Sequence, residues 1–337
     1  MTIHEKEASE RVMQWLTANW INQPLYVVTK LGISDILAES SLTAEQLAEI
    51  TGTYYPYLYR VMRTLASTGL FYESEGAEFS LSDMGEVLRE GKMRSIILMF
   101  LSPWHNRAWE QLYHSVQTGN IPFESAFGKP TFEWFSENRA EAEIFNSANQ
   151  IKARAVHSTI LKNYDFSPFK NIADVGGGYG GLLLSLLESQ PELKGSIADL
   201  PYMKEEVSKR IESLKLNGRC SYKECNFFEA VPEGHDCYIL SNILHDWNDQ
   251  KCQKILENCF SSMGDKGVLL IIESIIPGPN EFSVSKLMDM EVLVMGGGKE
   301  RTEEEYRALL ASSGFAINRI IGAEENISLI ECKKLTI

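Results

Sequence analysis

Short apolar stretches alternate with helical stretches over the second half of the chain, and this alternation constrains the fold more than any other feature. The apolar stretches are rich in β-branched residues and read NIADV, GSIAD, HDCYILS and GVLLIIES. Three segments typical of helices separate them: GLLLSLLESQ, PYMKEEVSKRIESL and DQKCQKILENCFSSM. This pattern predicts a doubly wound α/β fold, with a parallel sheet covered on both faces. The tail differs, because FAINRII and ISLIEC are separated only by GAEEN, which predicts an antiparallel hairpin at one edge of the sheet.

A glycine-rich turn follows the first of these strands. NIADV runs directly into GGGYGG, so that Gly176, Gly178 and Gly181 satisfy the spacing G-x-G-x-x-G. Residues without a Cβ let the backbone turn sharply and let a ligand approach closely, with the amino terminus of a helix behind it. The spacing alone does not separate enzymes that bind NAD from enzymes that bind S-adenosylmethionine (SAM).

Two carboxylates at strand ends bear on that choice. Asp174 precedes the glycines, where it would repel a pyrophosphate but attract the ammonium group of the methionine part of SAM, directly or through water. The alternative for Asp174 is a cap of the turn. Asp199 ends the next strand, where an acidic residue accepts hydrogen bonds from ribose hydroxyls, unless it is simply an exposed strand-end residue. Asp199 suits either cofactor, and Asp174 favours SAM.

The segment ECNFFEAVP lies between the apolar stretches GSIAD and HDCYILS. We expect Asn226 to meet an adenine by a hydrogen bond and Phe227 to meet it by apolar contact.

The first part of the chain has the outline of a winged helix. Thr43 caps a short helix that stops at Gly52, a second helix runs to Gly69, and FYESEGAEFSLS is typical of a hairpin with Glu75 and Gly76 at the turn. A DNA-binding winged helix needs a basic recognition helix, whereas this second helix has few basic residues and the chain carries a net charge of −14. We therefore expect no nucleic acid partner, and assign the unit to packing or subunit pairing.

The chain of 337 residues is long enough for two domains. We predict a winged-helix-like dimerisation domain over 1–100, a helical connector contributing to a substrate pocket over 101–165, and a cofactor domain over 166–337. No apolar run approaches the length of a membrane helix, and the amino terminus lacks the apolar core of a signal peptide, so cytoplasmic location is the expectation. Six cysteines without a C-x-x-C pair favour reduced, buried thiols over a zinc or disulfide framework.

The motifs DVGGGYGG, ADLP, NFFEAVP, NILHDWND, IIES and GGKERTEEEY, in this order, resemble the SAM-dependent small-molecule O-methyltransferases. That family includes plant caffeate and flavonoid enzymes, animal hydroxyindole enzymes and bacterial antibiotic-tailoring enzymes, and the resemblance covers nearly the whole chain. It implies a Rossmann-like class I SAM methyltransferase domain behind a winged-helix domain that forms a homodimer and lends helices to the substrate pocket. The expected reaction moves a methyl group from SAM to a hydroxyl of a small aromatic or polyketide-like molecule, leaves S-adenosylhomocysteine (SAH) and needs no metal.

The resemblance maps His245 onto the general base of the family and maps Glu273 and Glu300 onto its two acidic partners. A histidine titrates near ~6.5, where a general base is effective, and a carboxylate on its Nδ1 fixes the tautomer. The alternatives are a loop histidine, a loop carboxylate at Glu273, and an acid that helps start a helix at Glu300, with Thr302 as cap and Glu305 reaching back. A metal site from His245, Asp249 and Cys252 lacks a second cluster to complete the coordination.

The resemblance also places Leu200 and Ser241 beside the cofactor, although Ser241 stands where many plant members have lysine, and Cys225-Asn226 stands where the family often has Gly-Asp. Trp247, Met288 and Met295 are expected to line a flat slot for an aromatic acceptor, with ordinary core packing as the alternative for each. Three other functions stay open: transfer to C, N or S; a non-methylating hydroxylase on the same fold; and a SAM-sensing winged-helix regulator.

Overall fold

The computed structural model describes residues 3–322 and 327–335. Its contacts divide the chain into two compact units. The first unit comprises Met1–Trp109 and Phe132–Ile151, and the second comprises Glu110–Thr131 and Lys152–Ile337. The stretch 101–165, predicted as a connector, is therefore divided between the two units.

The first unit is mainly helical and contains a small three-stranded sheet with the order β1-β3-β2. Its strands are β1 (Leu42–Thr43), β2 (Phe71–Ser74) and β3 (Glu78–Leu81). Its helices up to residue 109 are α1 (Ile3–Thr17), α2 (Asn19–Leu31), α3 (Ile33–Leu37), α4 (Ala44–Thr51), α5 (Tyr55–Ala66), α6 (Asp83–Glu86), α7 (Arg94–Phe100) and α8 (Pro103–Trp109).

The predicted winged helix is present in this unit. The Thr43 hydroxyl accepts a hydrogen bond from the Gln46 backbone and the Gln46 side chain accepts one from the Thr43 backbone, so a capping box starts α4. Gly52, in the left-handed conformation at φ 64°, ends it. α5 follows, and β2 and β3 form an antiparallel hairpin whose turn contains Gly76 at φ 81°. The unit has its own core, which includes the buried residues Leu47, Leu58, Met62, Leu65, Phe71 and Phe79.

The second unit is built around one large sheet. Its first helices are α9 (Leu112–Thr118) and α10 (Pro122–Phe127), whereas α11 (Thr131–Glu137) belongs mainly to the first unit and α12 (Arg139–Asn163) runs from the first unit into the second. The sheet strands and the helices among them are β4 (Asn171–Val175), α13 (Gly181–Ser189), β5 (Lys194–Asp199), α14 (Lys204–Ser213), β6 (Cys220–Glu224), β7 (Cys237–Ser241), α15 (Asp249–Ser262), β8 (Val268–Ile276), α16 (Val284–Gly296), β9 (Arg301–Thr302), α17 (Glu303–Ser312), β10 (Phe315–Gly322) and β11 (Ile327–Lys334).

The strand order is β10-β11-β8-β7-β4-β5-β6, with β9 paired to β8 beside this path. The strands from β4 to β8 pair in parallel, as the alternating sequence predicts. β10 and β11 pair antiparallel, and β11 also runs antiparallel to β8, so the predicted edge hairpin is confirmed in its pairing. Residues 323–326 of its connection lie outside the described residues.

Helices cover both faces of this sheet because successive side chains of a buried strand point to opposite sides. In β8, Leu270 and Ile272 pack into the core that contains the leucines of α13. Their neighbours Leu269 and Ile271 pack into the opposite core, which contains residues of α15 and α17. The near-continuous apolar strands of the sequence are thus satisfied on both faces.

The chain order in the sheet reverses at β4. From β4 the chain proceeds to β5 and β6 on one side, and then returns to β7 and β8 on the other side. In open sheets of this kind ligands bind outside the carboxyl ends of the strands at the point of reversal. A ligand site is therefore expected at the loops after β4 and β7.

All six cysteines lie in the described part of the chain, where each is buried and outside any disulfide. Among the described residues, no helix combines the length and the apolar character needed to cross a bilayer.

Candidate active site

The glycine turn lies at the reversal point, between the ends of β4 and β7. Gly176 and Gly178 adopt φ values of 70° and 54°, in the left-handed region that favours glycine. A Cβ on Gly176 would overlap the side chain of Ile243, which follows β7. The Gly176 N–H donates to the Ala198 carbonyl (2.8 Å), so the turn is tied to β5. The turn leads directly into the amino terminus of α13, which is suited to a polar or anionic group of a ligand.

Asp199 is held against this turn. Its Oδ2 accepts a hydrogen bond from the Gly178 N–H (2.8 Å), and its Oδ1 accepts one from the Leu200 N–H (2.7 Å). Burial raises the pKa of the Asp199 carboxyl, while these two N–H groups oppose the rise. The carboxylate is therefore fixed beside the glycine loop, and contact with a ribose stays a prediction.

Asp174 lies beneath the turn and is 2% exposed. A Cβ on Gly177 would overlap its carboxyl group. Burial, followed by the charge of Asp199, raises the pKa of Asp174 to about 7, against a hydrogen bond from the Leu183 backbone. The carboxyl group therefore supports the turn from below, and contact with an ammonium group stays a prediction.

The loop after β6 brings one of its two predicted adenine contacts to the turn. The ring of Phe227 lies near Gly176, since a Cβ there would make ordinary van der Waals contact with Phe227 Cε1 at 3.5 Å. The Asn226 amide instead makes local bonds, because its Nδ2 donates to Glu229 Oε1 (2.9 Å) and its Oδ1 accepts from the Phe228 N–H (3.2 Å). The Asn226 side chain is thus engaged in its own turn.

Two further predicted cofactor residues lie at the carboxyl ends of strands. Leu200 follows β5 with a 41% exposed side chain, and its carbonyl accepts the Tyr222 hydroxyl (2.6 Å). Ser241 is the last residue of β7, is half-buried, and lies beside Ile272 of β8. Both therefore lie at the edge of the sheet that carries the glycine turn.

His245, Glu273 and Glu300 meet in one cluster. His245 lies in a 3-10 turn, Leu244–Asp246, shortly after β7. Its Nδ1 is 3.0 Å from Glu273 Oε2 and 3.3 Å from Glu300 Oε1. Both glutamates are buried, at 0% and 3% exposure. The structure thus brings together the three residues that the sequence assigned to catalysis.

Sheet pairing explains how the two glutamates reach the same nitrogen. Glu273 is part of β8, next to β7, and its Oε1 accepts the backbone N–H groups of Ile243 (2.9 Å) and Leu244 (2.7 Å). The first residue of β9, Arg301, pairs with Ile275 near the end of the same strand. Glu300 immediately precedes Arg301 and therefore lies close to Glu273.

The charges of the cluster control the imidazole. Burial lowers the pKa of His245, but the negative charges of Glu273 and Asp246 and the contacts with both glutamates outweigh it, so the pKa lies well above 6.5. Burial raises the pKa of Glu300, against the opposing effect of His245. A carboxylate on Nδ1 favours the proton on that nitrogen and leaves Nε2 as the proton acceptor.

Three residues of the site were not predicted. Asp246 lies beside the other ring nitrogen of the histidine, with Oδ1 3.5 Å from His245 Nε2. Asp289 accepts the Glu300 N–H (2.9 Å), and Arg301 is buried behind the histidine loop. The only sequence signal was adjacency, since Asp246 follows His245 and Arg301 follows Glu300 in motifs that the sequence had singled out.

The cluster also satisfies the spacing of a metal site. The ligand atoms of His245, Glu273 and Glu300 all lie within 4.8 Å of one another. One nitrogen and two carboxylate oxygens form a donor set that zinc accepts. Against this, Glu273 Oε1 is occupied by two backbone amides, and the contacts to Nδ1 have hydrogen-bonding lengths. Two ligands of the other possible metal site, Asp249 and Cys252, make hydrogen bonds within the protein. Asp249 accepts from Arg301, and Cys252 Sγ donates to the Leu244 carbonyl.

The three residues predicted to line the acceptor slot differ in their surroundings. The Trp247 ring packs on Phe228 (5.0 Å between centroids), and the ammonium of Lys251 lies 4.6 Å from its centroid. Met288 and Met295 are half-buried on α16. Trp247 thus contributes to a hydrophobic core, while the methionines lie on the helix that carries Asp289.

Fold and site together have the features of a class I SAM-dependent methyltransferase: a glycine turn, an aspartate hydrogen-bonded to that turn, and a histidine with two carboxylates at its Nδ1. The family comparison agrees: residues 109–316 match the O-methyltransferase domain, and residues 13–91 match the O-methyltransferase dimerisation domain. The chain belongs to this O-methyltransferase family and is a SAM-dependent O-methyltransferase.

Relatives match along nearly their full length. The chain is 38% identical to a phenazine O-methyltransferase of Lysobacter antibioticus, covering 97% of this chain and 96% of the relative. It is 30% identical to an 8-amino-8-demethylriboflavin N,N-dimethyltransferase of Streptomyces davaonensis, covering 98% and 96%. A solved O-methyltransferase from neocarzinostatin biosynthesis, in complex with SAM and 2-hydroxy-5-methyl naphthoic acid, is 28% identical with a TM-score of 0.82, covering 93% and 96%.

Proposed function

We propose that this enzyme methylates a phenol-type hydroxyl on a small aromatic molecule, with His245 as the general base. The observation that carries the proposal is the position of both glutamates on Nδ1 of His245, at 3.0 and 3.3 Å, which leaves Nε2 to receive a proton. The phenazine O-methyltransferase and the relative solved in complex with a naphthoic acid support this class of acceptor.

In the proposed reaction one proton moves from the acceptor hydroxyl to His245, and one methyl group moves from SAM to the acceptor oxygen. SAM supplies an electrophilic methyl group on a sulfonium. His245 Nε2 takes the hydroxyl proton as the acceptor oxygen bonds to the methyl carbon and the carbon–sulfur bond breaks. A phenol titrates near ~10 and an unperturbed histidine near ~6.5, so the transfer is uphill by about 5 kcal/mol. The carboxylates that raise the pKa of His245 narrow this gap.

The other residues of the site are proposed to bind and orient the two substrates. Asp199 would accept hydrogen bonds from the ribose hydroxyls, while Gly176 and Gly178 allow close approach of the methionine part, with the ammonium group near Asp174. Their support is the hydrogen-bonded turn that joins Gly178 to Asp199. On the adenosine side we assign Leu200, Asn226, Phe227 and Ser241. Holding two reactants in attack geometry is worth about 7–11 kcal/mol, more than the base contributes.

For the acceptor we propose a flat ring that contacts α16. Met288 and Met295 are half-buried on this helix, which also supplies Asp289 to the backbone of Glu300. Flexible thioethers adapt to rings of different shape. Trp247 has an indirect role in this proposal: its ring packs on Phe228 and so supports the loop that carries His245.

Transfer to an aromatic amine is the second candidate. A relative that is 30% identical over 98% of this chain is an N,N-dimethyltransferase. An amine is nucleophilic without losing its proton first, so that reaction does not need a base to act before methyl transfer. The histidine–glutamate set therefore favours a hydroxyl acceptor.

We also infer a homodimer formed through the first unit. α1 and α2 expose a large apolar surface, including Trp15 at 67%, Leu16 at 66% and Trp20 at 70%. Contiguous exposed apolar surface of this kind marks a protein interface. The match to a dimerisation domain over residues 13–91 supports a second copy of the chain as the partner.

The proposal is tested with His245→Ala and a panel of phenolic, quinone-derived, indole and aromatic amine acceptors supplied with labelled SAM. We expect His245→Ala to bind SAH normally by calorimetry and to lose about 10²- to 10⁴-fold in kcat with the best hydroxyl acceptor. An unchanged kcat would remove the base assignment, and turnover of amines alone would establish the second candidate.

A further inference from the structure

We propose that Arg301 is a positioning residue of the methyl transfer, which locks the loop carrying His245 onto the segment carrying Glu300. The inference rests on the proposed function, because it assumes that His245 is the base. It assigns a role to a side chain that touches neither SAM nor acceptor and acts only through the histidine.

Arg301 is an unusual side chain for this place because its charged group is wholly buried, at 0% exposure. Its Nη1 donates to the Leu244 carbonyl (2.9 Å), and its Nη2 donates to the Trp247 carbonyl (2.8 Å). Its Nε and Nη2 both donate to Asp249 Oδ1, at 3.1 and 2.8 Å. A single guanidinium thus binds the histidine loop on both sides of His245, at residues 244 and 247.

The shape of the guanidinium matters for this contact. Arginine presents five N–H donors in a rigid planar fork, whereas lysine presents a compact point charge on a flexible stem. Different nitrogens of the fork reach the Leu244 carbonyl, the Trp247 carbonyl and the Asp249 carboxylate. A lysine at position 301 keeps the charge and cannot hold all three acceptors at once.

A second set of contacts joins the same two segments. The Lys299 N–H donates to the His245 carbonyl (2.9 Å). A Cβ on Gly298 would overlap that same carbonyl oxygen, so the backbones pass each other without room for a side chain. Since Glu300 lies between Lys299 and Arg301, the segment that clamps the histidine loop also delivers the second carboxylate to Nδ1. A shift of residues 299–301 therefore displaces the imidazole of His245 and the carboxylate of Glu300 together.

Arg219 offers a matched control elsewhere in the same unit. Its Nη1 donates to the carbonyls of Leu187 (2.8 Å), Gln190 (3.0 Å) and Leu193 (3.2 Å). Arg219 precedes β6 and so lies at the amino-terminal end of that strand, the end opposite to the glycine turn. Replacing it also breaks an arginine clamp on loop carbonyls, but leaves the histidine loop untouched.

The experiment is a double-mutant cycle on the full-length enzyme with Arg301→Lys and His245→Ala, and with Arg219→Lys as the control. For each variant kcat and KM are measured with the best hydroxyl acceptor, and SAH affinity is measured by calorimetry. We expect Arg301→Lys to lower kcat about 100-fold in the presence of His245, since displacing a reacting group by about 1 Å costs that much. KM and SAH affinity should change less than threefold.

In the His245→Ala background we expect Arg301→Lys to lower kcat by less than threefold, because the group that it positions is gone. Arg219→Lys should change kcat less than twofold in either background. The proposal is overturned if Arg301→Lys costs the same factor with and without His245, or if its kcat resembles that of Arg219→Lys. Full activity of His245→Ala alone would instead refute the proposed base, so the two failures are distinguishable.

If Arg301→Lys does not fold, Asp249→Asn replaces it in the cycle. The Asp249 side chain is 54% exposed. Its replacement disturbs the histidine loop less than Arg301→Lys does, because the two carbonyl contacts of Arg301 remain. The expected loss in kcat is smaller but again depends on His245. Equal losses in both backgrounds would overturn the proposal here as well.

Discussion

Replacing Glu273 by glutamine tests how the histidine is oriented. In the native enzyme Glu273 Oε1 accepts the N–H groups of Ile243 and Leu244, and Oε2 faces His245 Nδ1 at 3.0 Å. Glutamine has only one oxygen. If that oxygen stays on the two backbone amides, its NH₂ group faces Nδ1, which must then accept, so the proton moves to Nε2. An imidazole in this tautomer has no lone pair on Nε2 with which to take the proton of the acceptor.

The expected loss in kcat follows from the free-energy cost of the opposite orientation of the glutamine amide. Turning the oxygen toward Nδ1 keeps the productive tautomer, but it points the NH₂ group at the buried N–H groups of Ile243 and Leu244. Each unsatisfied buried donor costs about 1–3 kcal/mol, so this orientation is disfavoured by about 2–6 kcal/mol. At about 1.4 kcal/mol per tenfold, we expect Glu273→Gln to lower kcat between roughly 30-fold and 20,000-fold.

Glu300→Gln is the matched control for this substitution. Neither carboxylate oxygen of Glu300 accepts a backbone hydrogen bond within the described chain, so its glutamine is free to turn an oxygen toward Nδ1. We expect a loss in kcat of about tenfold, measured with labelled SAM under saturating acceptor, and SAH affinity within threefold of native for both variants. The reasoning fails if Glu273→Gln stays within threefold of native, or if Glu300→Gln loses more than Glu273→Gln.

Three further outcomes follow from the site. Only the neutral imidazole accepts a proton, and the carboxylates hold the pKa of His245 well above 6.5. The pH profile of kcat/KM should therefore have a rising limb at pH values above 6.5. Glu300→Gln removes a negative charge, lowers that pKa and should move the limb down by about 1–3 pH units; a limb that does not move contradicts the assigned contact. Asp199→Asn should weaken SAH binding about 10- to 100-fold in calorimetry, since an amide turns an NH₂ group toward either Gly178 or Leu200, and unchanged affinity would separate Asp199 from the cofactor. Dialysis against EDTA should leave kcat unchanged, whereas a loss restored by zinc would assign the histidine–glutamate cluster to a metal.

Several parts of the molecule followed directly from local sequence. The parallel order of β4 to β8 follows from short apolar strands separated by helical segments, and the pairing in the structure agrees. Thr302 and Glu305 form the capping box that their spacing predicts at the start of α17. Gly176 and Gly178 adopt positive φ angles in the turn that the glycine spacing predicts. Each of these features depends on residues that are neighbours in the chain.

The grouping of His245 with Glu273 and Glu300 was predicted only through motif resemblance. Nothing in the spacing of His245, Glu273 and Glu300 shows that two carboxylates share one ring nitrogen. That outcome depends on β8 lying beside β7, and on the pairing of Ile275 with Arg301 that places Glu300 near Glu273. The Asn226 amide bonds within its own loop, and its contact with an adenine stays a prediction.

The amino-acid sequence by itself determined the alternation of strands and helices, the glycine turn and the winged-helix outline. Side-chain periodicity, backbone angles and helix caps are set over a few residues, so they can be read along the chain. Only the tertiary structure decided the contacts of Arg301 with Leu244 and Trp247, which are 57 and 54 residues away, and the position of Asp246 beside Nε2. Distances between such residues depend on the packing of the whole sheet and its loops, which no local pattern encodes.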